Sequence, residues 1–130
     1  MGTTNFPKGV KAGYWPRAYT ELTANYTVVI NDDAGKTFVV KADGITITLP
    51  AIAIGNTFTF INGMPDGQCL VTIDCNAADG ISFAGSATDG VTLINAKATA
   101  KLGDSVTLAA LDQVVAWQVT NAVGTWAKGA

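Results

Sequence analysis

Between Gly35 and Asn62 the chain alternates so regularly that the rest of the fold must accommodate it. Ile45, Ile47 and Leu49 interleave with Thr46 and Thr48, and Phe58 and Phe60 interleave with Thr57, Thr59 and Ile61. A period of two sends successive side chains to opposite faces of a sheet, so both runs read as half-buried strands. A further run, Thr37 to Lys41, precedes them. Asp43-Gly44 separates it from the Ile45 strand as a two-residue turn signal, since glycine takes the positive φ of a tight hairpin without steric cost. Pro50 closes the Ile45 strand, because proline cannot donate to a ladder.

The same punctuation recurs roughly every ten residues. Gly55-Asn56, Asn62-Gly63, Asp66-Gly67, Asp79-Gly80, Asp89-Gly90 and Gly103-Asp104 bound short runs rich in Val, Ile, Thr and Phe. Strands are expected at Tyr26 to Ile30, Cys69 to Asp74, Ile81 to Phe83, Val91 to Ile94, Ser105 to Ala110, Val114 to Thr120 and Thr125 to Ala127. Asn95 to Leu102 comes nearest to a helix through its alanines, but Gly103 stops it, and a loop or irregular edge fits equally. Many short strands at this spacing predict an all-β chain, a single antiparallel β-sandwich of jelly-roll-like build over residues 21–130. In it Trp117 is a core anchor and Trp126 covers one end. Residues 1–20 show no sustained period and read as an extended N-terminal arm. Four aromatics, Phe6, Tyr14, Trp15 and Tyr19, are unusual in a disordered tail and point to an arm that docks, either on its own domain or on a partner.

Charged residues make up only 14% of the chain, against about 25% in an average domain. That is little charge to cover a monomer, and it points to apolar surface shared with identical subunits or a larger assembly. The signs are segregated. The arm carries Lys8, Lys11 and Arg17 with no acid, while residues 21–130 carry five bases against ten acids, a net of −5. Three scattered cations are a weak footprint for nucleic acid, and an acidic protein surface suits them better. Cys69 and Cys75, six residues apart on one extended strand, would stand about 20 Å apart, beyond the roughly 7 Å a disulfide bridges. They are expected to be free thiols of a protein made in a reducing cytoplasm. No signal peptide pattern and no apolar run long enough to span a bilayer occurs in the sequence, and no membrane partner is expected.

The chain contains no histidine, which removes Ser-His and Cys-His nucleophilic pairs and the commonest general base and metal ligand. Most aspartates sit beside glycine or asparagine, where turn formation accounts for them. Asp32 and Asp33 could join a calcium site, but the chain has no D-x-D-x-D-G calcium loop. No dinucleotide fingerprint, phosphate-binding loop or RNA-reading aromatic motif is present. The expectation is a protein that is not an enzyme and needs no cofactor.

The run G-K-T-F-x-V-x-x-D-G-I-T-I-T-L-P with the following G-N-T-F-T-F-I-N resembles small virion proteins of tailed bacteriophages. The opening T-N-F-P-K-G-V is similar to the start of phage head proteins, and D-S-V-T-L, W-Q-V and G-T-W resemble the close of the same group. The resemblance implies a capsid decoration, or cement, protein: a small β-domain, commonly trimeric, bound to the major capsid protein on the outer surface of the head. Under that reading Phe6, Lys8, Lys11, Tyr14, Trp15, Arg17 and Tyr19 of the arm would meet the capsid. Similar β-modules occur in tail fibres and tailspikes, so a receptor- or carbohydrate-binding module is the alternative.

Overall fold

The computed structural model describes residues 19–33, 35–76, 79–83, 86–89, 92–111 and 116–129. The described chain is all-β apart from one helical turn. Its strands are β1 (Tyr19–Leu22), β2 (Tyr26–Thr27), β3 (Thr37–Val40), β4 (Ile45–Thr48), β5 (Thr57–Asn62), β6 (Val71–Asp74), β7 (Gly80–Phe83), β8 (Ser86–Asp89), β9 (Thr92–Asn95), β10 (Ser105–Ala109), β11 (Ala116–Val123) and β12 (Ala127–Lys128), with α1 (Ile30–Asp33) between β2 and β3. They form a seven-stranded sheet in the order β1-β3-β5-β10-β11-β7-β8 and a five-stranded sheet in the order β12-β9-β6-β4-β2.

The alternation does what it predicts. In β4 Ile45 and Ile47 are buried while Thr46 and Thr48 are half-buried, and in β5 Phe58, Phe60 and Asn62 point inward. Cys69, Val71, Ile73 and Cys75 all face the core, and both cysteines are free thiols. Phe38, Phe58, Phe60, Ile47, Ile73, Leu93, Leu108 and Trp117, drawn from both sheets, belong to one apolar cluster. Phe38 stacks on Phe60 at 5.4 Å and meets Tyr26 of the other sheet at 5.5 Å. Trp117 is fully buried against Phe58, and its indole N–H is the one buried side-chain polar atom without a hydrogen-bond partner among the described residues. Trp126 is buried, its indole donating to the Val123 carbonyl at 3.0 Å.

Strand pairing corrects the expectation of a wholly antiparallel architecture. β3 runs parallel to both β1 and β5, β4 runs parallel to both β2 and β6, and β7 runs parallel to β11. The cause lies at Asp43-Gly44. Gly44 has the positive φ expected of it, 81°, but the turn does not fold β4 back on β3. It carries the chain across the core, from the seven-stranded sheet to the five-stranded one. The next crossing, over residues 49–56, returns it. The first six strands therefore wind as a coil, each turn giving one strand to each sheet, and strands laid down by successive turns are parallel. Antiparallel pairs enter after the first six strands, where β8 folds back on β7 and where β9, β10, β11 and β12 return along the coil. One boundary shifts, and one open choice is decided as a loop. Tyr19 and Thr20, assigned to the arm, belong to β1 beside Thr37 and Phe38, and residues 96–104 are a loop of turns.

Candidate functional site

The winding gives the domain two ends of different chemistry. One gathers the strand starts Tyr19, Thr37 and Thr57, the close of β4 at Thr48 and the close of β10 at Ala109. Its loops are residues 28–36, 49–56 and 110–111. The sequence P-A-I-A-I at Pro50 to Ile54 is apolar throughout, yet it lies at the surface, with Ile54 52% exposed. Leu111 at 62% and Val29 at 46% are exposed at the same end.

This apolar loop is held in place. The Ile52 N–H donates to Asp79 Oδ2 at 3.1 Å, the Gly55 N–H to the Ala110 carbonyl at 2.7 Å, and the Ala110 N–H to the Asn56 carbonyl at 2.9 Å. The Asn56 side chain donates to the Ala53 carbonyl at 2.9 Å. Ile54 and Leu111 thus each stand one residue from a backbone bond that ties their loops together. Little backbone ordering entropy remains to be lost when these loops are covered.

At this end the Asp33 carboxylate is turned inward. Asp33 is fully buried; its Oδ2 accepts from the Tyr26 hydroxyl at 2.6 Å and the Val29 N–H at 2.9 Å, and its Oδ1 pairs with Lys36 Nζ at 2.9 Å. Burial pushes its pKa up, but these hydrogen bonds and the lysine charge together outweigh burial and hold the carboxyl below the ordinary 3.8. Both Asp33 oxygens are committed to these partners. Among the described residues no group of three or more His, Cys, Asp or Glu could hold a metal ion.

The opposite end carries exposed ion pairs, and Leu102 and Val123 are exposed there as well. Lys97 pairs with Asp43 at 2.6 Å and Lys101 with Asp66 at 3.8 Å, both pairs exposed, and Lys41 Nζ donates to the Gly63 carbonyl at 3.3 Å. The Lys97 ammonium, hydrogen-bonded to Asp43, lowers that carboxyl's pKa. Behind the pairs lies a buried polar cluster. Asn62 Nδ2 donates to Asn95 Oδ1 at 2.7 Å, Asn95 Nδ2 donates to Asp104 Oδ2 at 3.1 Å and to the Thr125 carbonyl at 3.0 Å, and Asp104 Oδ2 accepts the Lys101 N–H at 2.9 Å. The cluster ties β5, β9 and the loops on either side of β10 and β11. Its chemistry is structural, since each side chain is consumed by its neighbours.

No protein-family model matches the chain, and no curated protein matches it. Its site must be read from its own geometry.

Of the residues singled out in the sequence, Phe6, Lys8, Lys11, Tyr14, Trp15 and Arg17 lie outside the described residues. Tyr19 opens β1 next to Thr37, so the chain joins the domain at the apolar end. Sequence reading missed Val29, Ile54 and Leu111. The signal was available in P-A-I-A-I, an apolar run placed between two strands where turn residues belong, but a run of this length also reads as core. Exposed large apolar side chains among the described residues are aliphatic: Val29, Ile54, Leu102, Leu111 and Val123. Among the described residues no helix is long and apolar enough to cross a membrane.

Proposed function

We propose that the chain is a non-enzymatic structural protein of a tailed-phage virion, made in the host cytoplasm, that binds the outer surface of the capsid and stabilises the head as a decoration protein. Under this reading its two sheets pack as a sandwich, jelly-roll-like in its layers though not in its parallel coil, and residues before β1 form an arm. Three copies associate, and the apolar end faces the major capsid protein. The single observation behind this orientation is that Tyr19 joins the domain at the end where Val29, Ile54 and Leu111 are exposed. Arm residues Phe6, Tyr14 and Trp15 and the pinned loop would then bury apolar surface on one partner, while Lys8, Lys11 and Arg17 steer the encounter toward an acidic shell.

Magnitudes favour such a role. Covering the exposed half of one Ile or Leu is worth about 1 kcal/mol, so the three aliphatic side chains contribute about 3 kcal/mol, or about a hundredfold in affinity. A ligand that binds only the assembled shell stabilises it by mass action, and many copies multiply a modest term. The carbohydrate-binding alternative draws less support, because sugar-binding loops use aromatic platforms and the exposed large apolar side chains among the described residues are aliphatic.

Light scattering on the purified protein, followed by heating of phage heads with and without it, tests the proposal. A trimer that co-sediments with heads and raises their disruption temperature is the expected result. A protein that leaves heads unbound and binds glycans would replace this reading with the tail-fibre one.

A further inference from the structure

Asn62-Gly63 is the only Asn-Gly pair in the chain. In an unrestrained chain this dipeptide is chemically labile. The glycine nitrogen attacks the asparagine Cγ, ammonia leaves, and water opens the resulting succinimide ring to aspartate or isoaspartate. Attack requires a free Gly63 N–H and a carboxamide able to swing onto it, and the fold denies both. The Gly63 N–H donates to the Val40 carbonyl at 2.9 Å. Asn62 is 1% exposed; its Nδ2 donates to Asn95 Oδ1 at 2.7 Å and to the Cys69 carbonyl at 3.4 Å, and its Oδ1 accepts the Met64 N–H at 3.1 Å.

Neither residue is freely exchanged for a safer one. A Cβ on Gly63 would press into the Val39 side chain and against the Val40 carbonyl. Asn62 is the member of the buried cluster that reaches both Asn95 and the Cys69 carbonyl. The fold thus requires a labile pair at the point where it also restrains it.

We infer that Asn62-Gly63 is a sealed deamidation site, silent in the folded protein and reactive only when the charged end opens, and that reaction there makes the opening irreversible. Hydrolysis exchanges the amide nitrogen for oxygen, with water consumed and ammonia released and no other co-reactant. A carboxylate at position 62 has no N–H to offer Asn95 Oδ1, so two acceptors meet where a 2.7 Å hydrogen bond stood, in a site closed to water. The isoaspartate product also lengthens the backbone at the end of β5. Local opening then sets the chemical lifetime of the protein, because each opening is a chance of a step that cannot be reversed.

The test incubates the full-length protein in mildly alkaline buffer with and without denaturing urea, and follows amide-to-acid conversion at Asn62 by peptide mass analysis. Conversion is expected to be at least about a hundredfold slower in the folded protein, the protection of a site that reacts only through an uncommon opening. Equal rates in the two conditions would overturn the sealing. Protein deamidated in urea is then returned to native buffer beside an unreacted control; it is expected to fail to regain the control's urea midpoint. An unchanged midpoint would overturn the irreversibility.

Discussion

Asp33 shows how one side chain fixes a loop that the alternation leaves undefined. It collects the Tyr26 hydroxyl, the Val29 N–H and Lys36 in a site closed to solvent. Asp33→Asn keeps one acceptor for the Tyr26 hydroxyl and the Val29 N–H but sets an NH2 against the Lys36 ammonium and removes its counter-charge, and should cost about 2 kcal/mol at neutral pH, measured by urea unfolding. The sign of the pH effect follows from the lowered pKa. The charged form is stabilised by folding, so the contribution is complete above the ordinary value of 3.8 and disappears as pH falls through the lower folded value. The Asn variant should lack that acid limb. Gly124 is a second case. Its φ is 92°, and a Cβ there would collide with the Asp104 carboxylate, which Asn95 and the Lys101 N–H hold in place. Gly124→Ala should cost more than about 2 kcal/mol in the same measurement, beyond positive-φ strain alone. Neither role was legible in the sequence. Asp33 read as turn chemistry beside Asp32, and nothing local tells a buried aspartate from a solvated one.

Strands β3 to β6 were legible as elements because their alternation is strict; their partners were not. Period two fixes which face is buried and is silent on whether the next strand folds back or crosses the core. The registers expose a repeat. Thr37-Phe38 pairs with Thr59-Phe60, and Ile45-Thr46-Ile47 pairs with Val71-Thr72-Ile73, each copy with an Asp-Gly between its strands. Four residues separate β3 from β4 and eight separate β5 from β6, which hides the repeat from a fixed-period search. β1 escaped notice for another reason: Y-T-E-L alternates weakly and becomes a strand by adding to the edge that β3 offers. If the coil is the unit of stability, its stacked pair should be coupled. Phe38→Ala and Phe60→Ala should each cost about 3–5 kcal/mol, and the double-mutant cycle should return about 0.5–1.5 kcal/mol for the 5.4 Å stack. Additive single effects would mean that the two turns pack independently.

At the scale of the whole molecule, the coil delivers the chain at Tyr19 to the end where Val29, Ile54 and Leu111 are exposed, and sets the Lys97–Asp43 and Lys101–Asp66 pairs, beside exposed Leu102 and Val123, at the other. The low charge content announced uncovered apolar surface; where that surface lies depends on which loops the crossings bring together, and the sequence does not encode that locally. The proposed capsid contact therefore makes an end-specific prediction. Ile54→Asp with Leu111→Asp and, separately, Lys97→Glu with Lys101→Glu all alter exposed residues, so each pair should change stability by no more than about 1 kcal/mol. Their effects on binding should differ. Co-sedimentation with phage heads, comparing both pairs with the unaltered protein, is the most direct measurement. The apolar-end pair should weaken binding by about thirtyfold or more while the charged-end pair leaves it unchanged. Binding that survives the aspartates at residues 54 and 111, or that is lost with the glutamates at 97 and 101, would contradict the proposed orientation.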